Sequence, residues 1–231
     1  MIAALIRHAD YRQLADTPSA HQPFPLTEKG RAQAAAAAGQ VQALLHRHGW
    51  RLEPVIDSSC LLRGWQTAQI LAERLEQEYG YRCQLESFED LAERGLGSAA
   101  NLSLRQIEQV LEQDPRYPVP PANWKSDSHY CLPLQGAESL LQAGQRVARH
   151  LEQRMRQLPR SAHDQATLKL FVGHGAAFRH AAYHLGLLRF EQIAQLSMHH
   201  CRPLCLEFGP MGCRRVAGDW KQRGIREQAL D

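Results

Sequence analysis

Short apolar runs that alternate with amphipathic helical stretches assign this chain to the α/β class, with mostly parallel strands. Residues 2–6, 54–57, 81–85 and 167–172 read as strands, and helical patterns fill the intervals between them. A second observation sharpens the assignment. Two of these runs break abruptly into a histidine: Ile6 into Arg7-His8, and Val172 into Gly173-His174-Gly175. In an open α/β sheet, ligands sit outside the carboxyl ends of the strands. Both histidines are therefore expected at the mouth of such a crevice.

The chain has 231 residues, which suits one large domain or two small ones. No internal repeat or linker interrupts it, so a single domain over residues 1–231 is expected. The formal net charge is only +3, and no run of like charges suggests an arm for nucleic acid. No segment approaches the roughly 18 consecutive apolar residues of a membrane span. No basic region precedes a long apolar run at the N-terminus. Neither nucleic acid nor membrane is expected as a partner, and the expected location is cytoplasmic. Cysteines stand at 60, 83, 131, 201, 205 and 213 without a C-x-x-C pair. They fit reduced thiols better than a disulfide frame or a zinc site.

Taken in order, residues 2–6 form a buried strand. A polar loop with Pro18, Pro23 and Pro25 follows. It is long for a structureless connection, as functional rims and lids are. Thr27 caps an Ala-rich helix with Glu28 in its first turn. Ala34, Ala37, Val41, Leu44 and Leu45 give it one apolar stripe, and His48-Gly49 end it. Residues 54–57 make the second strand, and Ser58 or Ser59 is expected to cap the helix that carries Arg63, Ala68, Leu71 and Leu75. A third strand is expected at 81–85. Residues 88–97 form an acidic loop with Gly95 and Gly97. Ser103 and Gln106 make a capping box for a helix that ends before Pro115. Residues 114–135 hold five prolines with Trp124 and Tyr130, an irregular excursion expected to form a cap. From Ser139, Leu140, Gly144, Val147, Leu151, Met155 and Leu158 follow at helical spacing. Residues 167–172 are a strong strand, and an Ala-rich helix runs from His174 to Leu185. Residues 203–208 and 213–217 read as a closing hairpin. The polar tail after Trp220 is expected to be loosely held.

In this architecture Arg7, His8, Arg63 and His174 all fall at strand ends or at the helix starts beyond them. Two arginines and two histidines suit a phosphoryl group, because guanidinium forks hold its oxygens and stabilise developing charge. A neutral histidine nitrogen can attack phosphorus and split one displacement into two. Nearby arginines help to keep that nitrogen unprotonated. A leaving alkoxide needs an acid, for which Glu93 is the first candidate and Asp10 the second.

The same residues, read in order, resemble the histidine phosphatase superfamily, also called phosphoglycerate-mutase-like. The family's Arg-His-Gly stands here as Arg7-His8-Ala9. Its Leu-Thr-x-x-Gly-x-x-Gln-Ala stands as Leu26, Thr27, Gly30, Gln33 and Ala34. Its Ser-x-x-x-Arg-x-x-x-Thr-Ala matches Ser59, Arg63, Thr67 and Ala68. Its acidic loop matches Leu91, Glu93 and Gly97. Its Gly-Glu-Ser resembles Gly136-Ala137-Glu138-Ser139 with one extra residue, and its Gly-His-Gly matches residues 173–175. Each match alone is weak, and six in order are specific. The resemblance implies a three-layer fold, a mixed and mainly parallel sheet flanked by helices; the long irregular loops place cap segments at about 11–25 and 98–135. It implies His8 as the phosphorylated nucleophile, and Arg7, Arg63 and His174 around the phosphoryl group. Glu93 would be the proton donor, with no metal and no cofactor.

Ala9 departs from the family's glycine, and the loop after Asp10 lacks the Asn and Gly-Trp pattern of cofactor-dependent mutases. The expectation is a phosphatase acting on a small phosphorylated substrate. A phosphoglycerate-type mutase and a non-catalytic phospholigand-binding module are the alternatives. Oligomeric state stays open, a homodimer included. Among weaker candidates, His180 and His184 share a helix face, but packing is favoured over metal binding. His199-His200 is read, by a small margin, as a loop pair rather than a pocket rim. Glu138 either orients a site group or charges a helix start. Trp65, Trp124 and Tyr130 line a substrate pocket or pack a cap, and Arg12 and Arg31 are weak candidates for extra anion contacts.

Overall fold

The computed structural model describes residues 1–18, 20–159 and 165–224. Strand β1 (Ile2–Arg7) shows how the layers arise. Side chains alternate across a strand, and both faces of β1 are apolar. Ile2, Ala4 and Ile6 pack with α1 (Glu28–His48) and α2 (Leu62–Tyr79). Ala3 and Leu5 pack on the other face with α4 (Leu140–Gln157) and α5 (Gly175–His184). Strand β5 (Thr167–Gly173) has all seven residues buried, as a central parallel strand covered on both faces must.

The sheet runs β4 (Gln84–Phe88), β3 (Val55–Ser59), β5, β1, β7 (Leu204–Gly209), β8 (Gly212–Ala217). Strands β1, β3, β4 and β5 are parallel, and the β7–β8 hairpin adds to β1 in the antiparallel sense. A short β2 (Arg51–Leu52) also pairs with β5. The expected three-layer arrangement and mixed, mainly parallel sheet are present. One register matters most for the site: Arg7 lies opposite Gly173. The His8 amide then donates to the Gly173 carbonyl at 2.9 Å. Both His-bearing turns therefore leave the sheet side by side.

The helix caps at Thr27, at Ser103 with Gln106, and at Ser139 with Gln142 are formed. The Ser103 box opens α3 (Leu104–Gln113). Three local expectations need correction. Neither Ser58 nor Ser59 caps α2, whose N-cap is Leu61 without a side-chain bond. The Ser59 hydroxyl is used at the strand end instead. The third strand begins at Gln84, not at Tyr81. Gly80 ends α2 in a left-handed conformation, φ 74°, and the Tyr81 amide returns to the Leu75 carbonyl. The chain is thus free to pair only from Gln84, whose amide bonds to Pro54. After Trp220, β9 (Lys221–Gln222) pairs with β6 (Leu196–Ser197), and the tail beyond Gly224 lies outside the described residues.

A separate apolar cluster joins Ala20, Leu96, Ala99, Ile107, Leu111, Trp124 and Leu132. It draws on both sequence segments expected to form the cap. The Leu104 amide ties them together by donating to the Asp16 carbonyl. Trp124 is 2% exposed, so it packs the cap rather than lining a pocket.

Candidate active site

His8 follows β1 and is buried. Its Nδ1 lies 2.8 Å from the Ala9 carbonyl. A carbonyl can only accept, so Nδ1 carries the proton and Nε2 keeps its lone pair. Burial, then Arg63, Arg7 and His200, hold His8 well below the ordinary histidine range. The result is a neutral imidazole with one basic nitrogen available. The Arg63 Nε–H donates to that nitrogen at 3.3 Å, a bond that an electrophile at Nε2 must displace.

The turn that carries His8 is held by the motif residues. The Ala9 amide donates to the Thr67 hydroxyl, and the Asp10 amide to the Gln33 side chain. The Thr27 hydroxyl donates to the Asp10 carboxylate at 2.6 Å. Gly30 lies so close that a Cβ there would sit 1.9 Å from the Asp10 carbonyl oxygen. Asp10 is committed to this brace, which weakens its case as the acid.

His174 stands where β5 ends, 5.0 Å from His8 between ring centroids. Its Nε2 lies 2.8 Å from the Ser59 hydroxyl, which also accepts from the Leu61 amide. The Ser59 proton has no other acceptor among the described residues, so it goes to Nε2. The ring proton of His174 then sits on Nδ1, which is buried and unpartnered. Burial, Arg63 and His8 push His174 well down, so it too is neutral.

Arg7 donates from one terminal nitrogen to the Met198 carbonyl at 3.0 Å, while its Nε is buried without a partner. A Cβ at Gly175 would sit 3.1 Å from the Arg7 side chain, so glycine permits the close approach. Arg63, 1% exposed, holds the first cap segment through the Ala20 carbonyl at 2.6 Å and the Gln22 carbonyl at 3.2 Å. Its guanidinium also lies over the Tyr11 ring, 4.6 Å from the centroid.

Glu93 reaches the site from the acidic loop. Its carboxylate accepts from the Ala176 and Ala177 amides at 3.2 and 3.0 Å, at the start of α5. The Arg94 amide adds a third bond. Glu138 accepts from the Gly95 amide at 3.0 Å and pairs with Arg146. Arg146 in turn donates to the Glu89, Asp90 and Ala92 carbonyls. Of the two readings for Glu138, orienting a site element is the one the geometry supports.

Arg7, His8 and Glu93 line one cavity of about 50 Å³, with Arg94, Lys125 and Ala176 in its wall. By the ~10–15 Å³ needed per water, it has room for a phosphoryl-sized group. His200, expected as a loop residue, packs on His8, with 5.5 Å between ring centroids. Its Nδ1 donates to the His8 carbonyl at 2.5 Å, and burial and Arg7 push it down to about 4. His21 was not singled out by sequence, yet its Nε2 donates to the Glu93 carbonyl at 3.0 Å. Its place in a Pro-flanked loop gives no local signal. His180 and His184 pack as expected, on Ser128 and Ala176 and on Leu141. Among the described residues no group of three His, Cys, Asp or Glu is placed to hold a metal. Arg12, Arg31 and Trp65 are exposed.

The sheet, covered on both faces, carries paired histidines and arginines at its carboxyl edge, which defines an α/β protein with its polar site outside the strand ends. The chain belongs to the histidine phosphatase superfamily (branch 1), whose family model matches residues 3–219. Solved structures share the fold. "Mycobacterial hydrolase 1" is 21% identical with a TM-score of 0.68, covering 94% of this chain and 96% of that one. A mycobacterial glucosyl-3-phosphoglycerate phosphatase complexed with VO3 is 23% identical, TM-score 0.66, covering 93% and 96%. A putative alpha-ribazole-5'-P phosphatase from Escherichia coli is 19% identical, TM-score 0.64, covering 100% and 99%. No curated protein sequence matches the chain. At these identities the structures speak to the fold, and the family resemblance drawn from the six motifs is borne out.

Proposed function

We propose that this protein is a phosphatase that hydrolyses a small phosphomonoester through a phosphohistidine on His8. The observation that carries the reading is the placement of His8 at the end of β1, with its Nδ1 against the Ala9 carbonyl and its Nε2 facing Arg63. Its Nδ1–H is held by the Ala9 carbonyl, and burial with Arg63 and Arg7 holds the ring below the ordinary histidine range, which keeps it neutral. The phosphatase names of the structural neighbours support the same reaction class.

In the first step His8 Nε2 attacks phosphorus and the P–O bond to the alcohol breaks. Glu93 serves as the acid that passes a proton to the leaving alkoxide, which departs as the neutral alcohol. In the second step water attacks the phosphohistidine and gives its proton to the Glu93 carboxylate. Inorganic phosphate leaves, and both residues return to their starting states. Arg7, which lines the cavity beside His8, would donate to the phosphoryl oxygens. No metal takes part.

The test is phosphate release from a panel of small phosphomonoesters with a chelator present, for wild type and His8→Ala. The expected result is release that survives chelation and is lost in the variant. Full activity in His8→Ala overturns the reading. Isomerisation of a phosphoglycerate faster than phosphate release would assign a mutase instead, and tight phosphate binding without turnover a binding module.

A further inference from the structure

Residues 198–201 hold the end of β1 from a side that the motif residues do not reach. Arg7 faces His200 in an isolated parallel bridge, and the Cys201 amide donates to the Arg7 carbonyl at 2.9 Å. The Arg7 guanidinium donates to the Met198 carbonyl. Cys201 is buried with φ 57°, a left-handed backbone that residues bearing a Cβ rarely adopt. A turn kept in that conformation is held there by its contacts. Among them, the bond from His200 falls on one particular peptide. The His8 carbonyl accepts from His200 Nδ1, and the Ala9 amide of the same peptide donates to the Thr67 hydroxyl. The His8–Ala9 peptide is thus pinned at both ends. The next carbonyl, that of Ala9, is the acceptor for the His8 ring.

We infer that His200 is a positioning residue: through the His8 carbonyl it fixes the His8–Ala9 peptide and so selects the Nδ1–H tautomer of the nucleophile. If that peptide rotates, it carries the Ala9 carbonyl away from His8 Nδ1. The ring then loses the acceptor that keeps its proton there, and the form with a bare Nε2 loses its advantage. His200 suits the task as a neutral donor. Burial and Arg7 push it down to about 4, and a carbonyl can only accept, so its single ring proton sits on Nδ1. His200 is not among the residues that line the cavity, so it reaches the reaction through His8. The consequence for turnover rests on the phosphatase reading. The tautomer belongs to the protein without substrate.

The experiment reads both. Imidazole ¹⁵N–¹H correlation spectra at pH 7 give the His8 tautomer, with His8→Ala assigning the signal, and phosphate release from a small phosphomonoester gives kcat and KM. His200→Ala removes the donor. His200→Asn keeps it, because the amide nitrogen and Nδ1 are both one bond from Cγ. Wild type is expected to show His8 as the Nδ1–H tautomer alone. In His200→Ala the two His8 nitrogens are expected to average, and kcat to fall on the order of tenfold with a smaller change in KM. His200→Asn is expected to restore both. Should His200→Ala fail to fold, His200→Leu fills the space without a donor and is read in its place. A His8 signal that stays on the Nδ1–H tautomer without the donor, or one that shifts while kcat does not, overturns the inference. So does a His200→Asn protein as impaired as His200→Ala, since ring packing on His8 would then be what matters. A tautomer that shifts as expected in a protein whose wild type releases no phosphate keeps the positioning role and overturns the phosphatase reading.

Discussion

Arg63 acts on His8 second only to burial, so its removal should raise the basicity of His8. Imidazole NMR titration of wild type is expected to show His8 neutral at pH 5.5. In Arg63→Met its midpoint should move up toward the ordinary value of about 6.5. An unshifted midpoint would mean that burial, with Arg7 and His200, sets the charge without Arg63. Ser59 offers a second test at this scale. Its hydroxyl fixes the His174 ring proton on Nδ1. Ser59→Ala is expected to let the proton redistribute between the nitrogens, visible in their ¹⁵N shifts. It should lower kcat on the order of tenfold with a smaller effect on KM, and Ser59→Thr should restore most of it. Arg7, His8, Arg63, Glu93 and His174 were legible in the sequence because each sits in a short local pattern at a strand end or helix start. His200 was not, because its bond to His8 spans 192 positions. No local window carries such a contact.

Between elements, close approach decides more than propensity does. Helices α4 and α5 meet at Gly144, where an added Cβ would lie 2.4 Å from His180 Cβ and 2.6 Å from its backbone carbonyl carbon. These atoms belong to a packed helix and cannot swing away. Gly144→Ala is therefore expected to lower stability by ~1–3 kcal/mol despite alanine's better helix propensity. Urea unfolding measures it, and a stabilised variant would mean that the two helices separate cheaply. In the sequence Gly144 appeared only as one position of an apolar stripe. Its role as a contact needed the partner helix. The same limit explains the short strands. β2 and Lys221–Gln222 have two residues each, too few for a period-2 pattern, and exist because longer elements hold them in place.

Across the molecule, the layered fold was legible because both faces of β1 and β5 are apolar and helices with single apolar stripes lie between the strands. What the sequence could not show is how many histidines the fold buries in the neutral state. His8 and His174 are held well below the ordinary range by burial and arginines. Burial brings His180 down to about 3 and His200 to about 4. In the unfolded chain each titrates near 6.5. Below that pH the unfolded state binds protons that the native state refuses, so stability falls as pH drops. Each such histidine contributes a slope of up to ~1.4 kcal/mol per pH unit. The slope persists until its native value is reached, near 4 for His200 and near 3 for His180. The buried Asp57, lowered by bonds from His150, Arg154 and Lys169, loses its contribution only as pH falls through the carboxylate range. The window from pH 6.5 to 5 therefore isolates the histidines. Urea midpoints at pH 7.5, 6 and 5 should decline steadily across it, and His180→Gln should flatten the decline while lowering stability at pH 7.5. A midpoint unchanged between pH 7.5 and 5 would require these four imidazoles to accept protons in the native state. The neutral nucleophile at His8 would then lose its electrostatic basis.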